Sequence, residues 1–150
     1  MKKILFTVTF MLAFAWAACA QILKPVTWSY AAKRLPGNQA MLLLRATIDE
    51  GWHIYSQTVA NGGPVKTTIQ FNAAKTYTVI GKPIEPKPIT EYEKDFDMKV
   101  SYFEKQVIFQ QKIKLNDAGA TTIKGSIEFM ACNNKQCLPP ETVEFSIQVN

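Results

Sequence analysis

Sustained helical periods, heptads, internal repeats and low-complexity tracts are all missing from this 150-residue chain, which sets aside coiled coils, solenoids and disordered linkers. Its one long apolar run, residues 4–16, covers about 13 positions, fewer than the roughly 20 that a membrane-spanning helix needs. Histidine occurs once, as His53, and cysteine three times. The 17 basic and 12 acidic residues are spread along the chain without a clustered basic stripe or interleaved aromatics, so no nucleic-acid surface is expected.

What is present begins with an export signal. Lys2 and Lys3 precede the apolar run, and Ala17, Ala18, Cys19 and Ala20 close it with the small residues of a cleavage site. Removal of residues 1–20 would leave Gln21 at the N-terminus and 15 basic against 12 acidic residues, a net charge of +3. The alternative is a lipoprotein signal with Cys19 as the lipidated residue, although Trp16 stands where such signals usually carry an aliphatic side chain. Residues 21–150 form one expected domain, and about 130 residues suffice to bury a core without staples. That domain keeps two cysteines, Cys132 and Cys137, in a compartment where thiols can be oxidised, and they are expected to pair.

The rest of the chain reads as strands. Alternating or β-rich runs fall at 26–30, 41–48, 53–57, 67–71, 77–80, 98–103, 107–115, 121–130 and 143–149. Turn signals separate them at Pro36-Gly37-Asn38, Asn61-Gly62-Gly63-Pro64, Asn116-Asp117-Ala118-Gly119 and Pro139-Pro140. Short strands at this spacing predict an all-β antiparallel sandwich or barrel, with Trp28 and Trp52 in its core. Segment 82–97 is too rich in proline and charge for a central strand and is predicted as a long surface loop. Such loops are often functional, which makes Phe96 a candidate; the plainer reading turns its ring inward at the start of the next strand.

The segment Cys132-Asn133-Asn134-Lys135-Gln136-Cys137 follows a strand, and four polar residues suit a tight connection that brings the two sulfurs within bonding reach. Three readings compete. As a staple the bridge is poorly placed, because closing a loop of about six residues yields only about 2 kcal/mol, against more than about 4 for one closing about 60 residues. As a metal site it lacks ligands: structural zinc takes four, and only His53 could join the cysteines, while Met41, Met98 and Met130, the helpers copper would need, more often fill cores. No cofactor or metal is therefore expected. As a working dithiol it is well suited, since a bridge in a polar, exposed setting that gains little from closing can exchange with partners.

The run Ala131-Cys132-Asn133-Asn134-Lys135-Gln136-Cys137-Leu138-Pro139-Pro140-Glu141-Thr142, with Glu50-Gly51-Trp52-His53-Ile54-Tyr55-Ser56-Gln57 upstream, resembles the N-terminal periplasmic domain of DsbD, the bacterial thiol:disulfide interchange protein. The resemblance covers the chain from about residue 24 to its end and implies an immunoglobulin-like sandwich that acts as a protein-disulfide reductase in the periplasm. It also implies electron transfer to thioredoxin-like periplasmic partners, among them disulfide isomerases and cytochrome c maturation proteins, by a monomer with no small-molecule substrate. By position, Cys137 would exchange with partner disulfides and Cys132 would resolve the mixed disulfide. The Asp95-Phe96 step matches a cap over the cysteines, Tyr55 a tyrosine lining the site, and His53 a position where relatives can carry another tyrosine.

Two departures touch the site: four residues separate the cysteines, one fewer than in the best-known member, and Lys94 replaces a second acidic residue of the cap. No transmembrane relay or thioredoxin-like domain follows, so the electron donor is expected to be a separate membrane polypeptide of the DsbD type. Lys135 and Lys94 would favour a thiolate, Asp95 and Glu141 would oppose it, and a general-base role for His53 competes with that of a packed strand residue. A non-catalytic immunoglobulin-like binding module, its loop pinned by the Cys132–Cys137 bridge, is the reading from a different class.

Overall fold

A computed structural model describes residues 23–94, 96–117 and 119–150; the expected signal, Cys19 and Asp95 lie outside the described residues. Its strands are β1 (Val26–Leu35), β2 (Gln39–Ile48), β3 (Trp52–Tyr55), β4 (Thr68–Phe71), β5 (Tyr77–Ile84), β6 (Ile89–Glu93), β7 (Met98–Glu104), β8 (Gln106–Leu115), β9 (Thr121–Phe129), β10 (Ala131–Asn133) and β11 (Glu141–Val149). They pair antiparallel in three sheets, ordered β1-β2-β8-β5, β10-β3-β7-β6 and β11-β9-β4. Among the described residues no helix occurs.

Local chemistry sets the turns. Leu35 opposes Gln39 across the first hairpin, and Gly37 and Asn38 between them have φ of 75° and 53°, the left-handed region that glycine and asparagine enter most readily. The strands then sort their side chains by the two-residue period. Leu42, Leu44 and Ile48 of β2 and Phe109, Ile113 and Leu115 of β8 turn inward. Ile123, Ile127 and Phe129 of β9 meet them with Phe145 and Ile147 of β11, forming one core across the sheets. Each such side chain contributes about 1.5–3 kcal/mol when fully buried. Gly125 occupies an inward position on β9 where the carbonyl of Gln70 and the ring of Phe145 leave no room for a side chain. Trp52 is buried in this core, and Trp28 packs at its margin against Phe109 and Phe129 at ring separations of 6.0 and 5.5 Å.

The sheet β10-β3-β7-β6 is covered on both faces. Trp52, Ile54, Phe103 and Ala131 point into the main core, whereas Tyr55, Val100 and Cys132 form a second buried cluster, with Met98 and Tyr102 packed on it. This second face positions the site.

One expectation needs correction. Segment 82–97 is not a single loop: β5 runs on to Ile84, and β6 pairs with β7 from Ile89↔Tyr102 to Glu93↔Met98. Its prolines are tolerated because Pro83 lies where the register of β5 shifts, on an edge strand, and Pro86 and Pro88 fall between the strands. The strand expected at 121–130 is found as β9, but a further short strand, β10, lies between it and the cysteine loop. The chain breaks at Met130, and β10 leaves the β9 sheet to pair with β3.

Candidate functional site

Cys132 and Cys137 are joined by a disulfide, with their Cα atoms 4.0 Å apart. Cys132 lies on β10, opposite His53 of β3, and Cys137 faces Cys132 across an isolated antiparallel bridge. The intervening loop is shaped by Asn133: its Oδ1 accepts from the amides of Lys135 (2.8 Å) and Gln136 (2.9 Å), while its own amide donates to the Gln136 carbonyl (2.9 Å). Asparagine commonly closes such turns. Just beyond, the Leu138 amide donates to Ala131 (2.9 Å). Of the exposed bridge that the sequence predicts, half is found: Cys137 is exposed, but Cys132 retains 2 % of its accessible surface, because β10 turns it into the second cluster beside Tyr55, Val100 and Met130.

A cleft of about 550 Å³ opens on the pair, lined by His53, Tyr55, Phe96, Asn133 and both cysteines, with Glu93 and Lys94 at its charged side. Phe96 combines the two readings its position allows. Half-buried, it packs on the second cluster with its ring edge-on to Tyr55 at 6.4 Å, and it also lines the cleft. The turn that carries it, between β6 and β7, is closed by the Asp97 amide donating to Lys94 (3.3 Å) and by the Tyr92 hydroxyl donating to the Asp97 carboxylate.

His53 and Tyr55, two apart on β3, share a face, and His53 Nε2 lies 3.2 Å from the Tyr55 hydroxyl. The His53 ring also packs on Tyr102 at 4.8 Å. Burial pushes the His53 imidazole below its usual range, against the opposing pull of Glu93 and Glu104. Tyr102 donates its phenolic proton to Glu91 (2.9 Å), and burial, that bond and the charges of Glu91, Glu104 and Glu93 together push its pKa up to about 12.

Sequence reasoning misses several of these contributors. Tyr102 could be found by continuing the alternation Met98, Val100, Tyr102 along β7. The clamp made by Glu85 carries no local signal: its carboxylate accepts from the Ser56 hydroxyl and the Gln57 amide (3.0 Å), tying the link between β5 and β6 to the end of β3. Among the charged residues named as thiolate modulators, Lys94 lines the cleft, Lys135 is exposed in the cysteine loop, and Glu141 opens β11 opposite Phe129.

Comparison with known proteins follows the same lines. The N-terminal domain of Neisseria meningitidis DsbD in its reduced form superposes with a TM-score of 0.58 at 17% identity, over 89% of this chain and 95% of that one. The structure of the complex between the DsbD and PilB N-terminal domains of the same organism matches with a TM-score of 0.55 at 16% identity, over 84% and 87%. The N-terminal periplasmic domain of Proteus mirabilis ScsB gives 0.60 at 17% identity, over 85% of this chain and 47% of that one. The fold is thus the immunoglobulin-like sandwich of these domains. No curated protein sequence matches the chain. The family model for the N-terminal part of the thiol:disulfide interchange protein DsbD matches residues 12–148, from within the expected signal to the last residue but one of β11, and the chain accordingly belongs to the DsbD N-terminal domain family.

Proposed function

We propose that this chain is a periplasmic thiol:disulfide oxidoreductase that passes reducing equivalents to partner protein disulfides through Cys132 and Cys137, after removal of residues 1–20. The observation that carries this reading is the unequal placement of the two ends of one bridge: Cys137 is exposed at a cleft and Cys132 is buried beside it. Such a pair suits sequential chemistry. The Cys137 thiolate attacks a partner disulfide and releases one partner thiolate; Cys132 then attacks the Cys137 sulfur, restoring the bridge and releasing the second. Two electrons and two protons pass to the partner.

Thioredoxin-like proteins are the partner class this reading favours, in keeping with the complex between the DsbD and PilB N-terminal domains. A separate membrane protein of the DsbD type would return the electrons, and Phe96, with the neighbouring Asp95, would act as the cap that limits access until a partner docks. The test is to express Cys132→Ala and isolate what becomes attached. A mixed disulfide at Cys137 with an exported thiol protein is the expected result. Redox titration of the unaltered chain supplies the overturning outcome: a potential well below about −300 mV would make the bridge a staple of a non-catalytic binding module.

A further inference from the structure

We propose that His53 is the base that takes the proton from the Cys132 thiol as Cys132 resolves the mixed disulfide, an inference that rests on the redox reading above. The difficulty it answers is one of access. Cys132 must lose a proton before it can attack, since the thiolate is the nucleophile, yet it is almost wholly withdrawn from solvent, where water could accept that proton. Around it the second cluster supplies Val100, Met130 and Tyr55, none of which accepts a proton near neutrality.

The register places one suitable group. His53 and Cys132 are directly opposite in the antiparallel β3–β10 pair, so their side chains leave the same face of the sheet with Cβ atoms about 4.5–5.5 Å apart, and both line the cleft. On its other side His53 opposes Glu104 of β7, beside Tyr102, while Glu93 and Lys94 face it from β6 and the turn that follows. Burial outweighs these carboxylates and keeps the imidazole neutral at neutral pH, the form that can accept a proton. In the tautomer whose Nε2–H donates to the Tyr55 hydroxyl, Nδ1 is unprotonated and is the nitrogen that accepts the proton.

The step balances. The Cys132 S–H bond breaks with its proton going to His53, the Cys132 sulfur bonds to that of Cys137, and the mixed disulfide breaks with its electron pair leaving on the partner sulfur. No further oxidant is needed, and the imidazolium returns its proton to solvent through the open cleft.

Single-turnover reaction of the reduced chain with 5,5′-dithiobis(2-nitrobenzoate) separates the stages, because each releases one coloured thiolate that needs no proton at neutral pH. The first phase reports attack by Cys137 and the second reports resolution by Cys132. With His53→Gln the second phase should slow at least about tenfold at pH 7, general-base contributions commonly being larger, while the first phase stays within about twofold. The deficit should shrink as the pH rises and hydroxide takes the Cys132 proton directly, and added imidazole should restore the second phase in His53→Ala. A second phase unchanged at pH 7, or slowed equally at every pH and deaf to imidazole, overturns the proposal. A wild-type chain that releases a single thiolate, with Cys132 never engaging, removes the redox reading itself.

Discussion

Phe96 borders the approach to the cysteines. Its ring rests on Tyr55 and the second cluster and borders the same cleft as both sulfurs, so any reagent approaching Cys137 from that side meets it. Replacing it with alanine opens this approach without touching a cysteine. If displacing the ring costs an incoming reagent about 1 kcal/mol, Phe96→Ala should speed oxidation of the reduced chain by a small disulfide about fivefold, as measured by loss of free thiol. An unchanged rate would mean the ring gates nothing. The two cysteines are legible from their spacing and Phe96 from the proline- and charge-rich segment that carries it, whereas Tyr55 and His53 are marked as site residues by the resemblance to the DsbD N-terminal domain. The burial of Cys132 is not legible, because it follows from β10 joining β3, a pairing between residues about eighty positions apart.

At the scale of elements, β9 shows how tightly the sheets are fitted. A Cβ on Gly125 would lie 2.1 Å from the Gln70 carbonyl of neighbouring β4 and 2.5 Å from the Phe145 ring on β11. Gly125→Ala must therefore push apart strands on both sides, and overpacking of this kind costs about 1–3 kcal/mol. At roughly 3–6 °C per kcal/mol for a domain of this size, thermal unfolding should fall by about 5 °C or more; a melting curve superimposable on wild type would show that β4 can move aside. Every strand read from alternation is present, with ends shifted by a few residues. β6 escapes notice because Pro86 and Pro88 precede it and its Ile89-Thr90-Glu91-Tyr92-Glu93 run is almost wholly exposed, an edge strand with little apolar pattern to betray it. β10 escapes because three residues are too few to show a period, and its identity comes from its partner, not its composition.

For the whole molecule, two perturbed groups beside the site, His53 and Tyr102, bracket a range of pH. His53 is held below its usual range in the folded chain, so just below about pH 6.5 the unfolded chain binds more protons than the folded one. Stability from this group is complete above that point and is lost as the pH falls through the folded value. Tyr102 behaves in the opposite sense. Its pKa is pushed up to about 12, so above about pH 10 the unfolded chain loses its phenolic proton first, and stability declines as the pH rises. Burial raises Tyr30 and Tyr77 as well, which adds to the same alkaline flank. Urea midpoints at pH 5, 8 and 11 should be highest at pH 8, with the acid-side drop reduced in His53→Gln and the alkaline-side drop reduced in Tyr102→Phe. A midpoint indifferent to pH would show that neither group is linked to folding.

Asn133 holds the bend between the cysteines through bonds that owe nothing to sulfur: two amides reach its side chain, and its own amide reaches Gln136. When the bridge opens, these contacts keep the thiols neighbours at a high effective concentration, as tethered reactants are. In the proposed exchange, partner release would then be an intramolecular event whose speed is independent of how many other thiols surround the protein. On the proposed redox reading, a carrier so arranged would let go of each client promptly, and its covalent complex would be brief unless Cys132 is taken away.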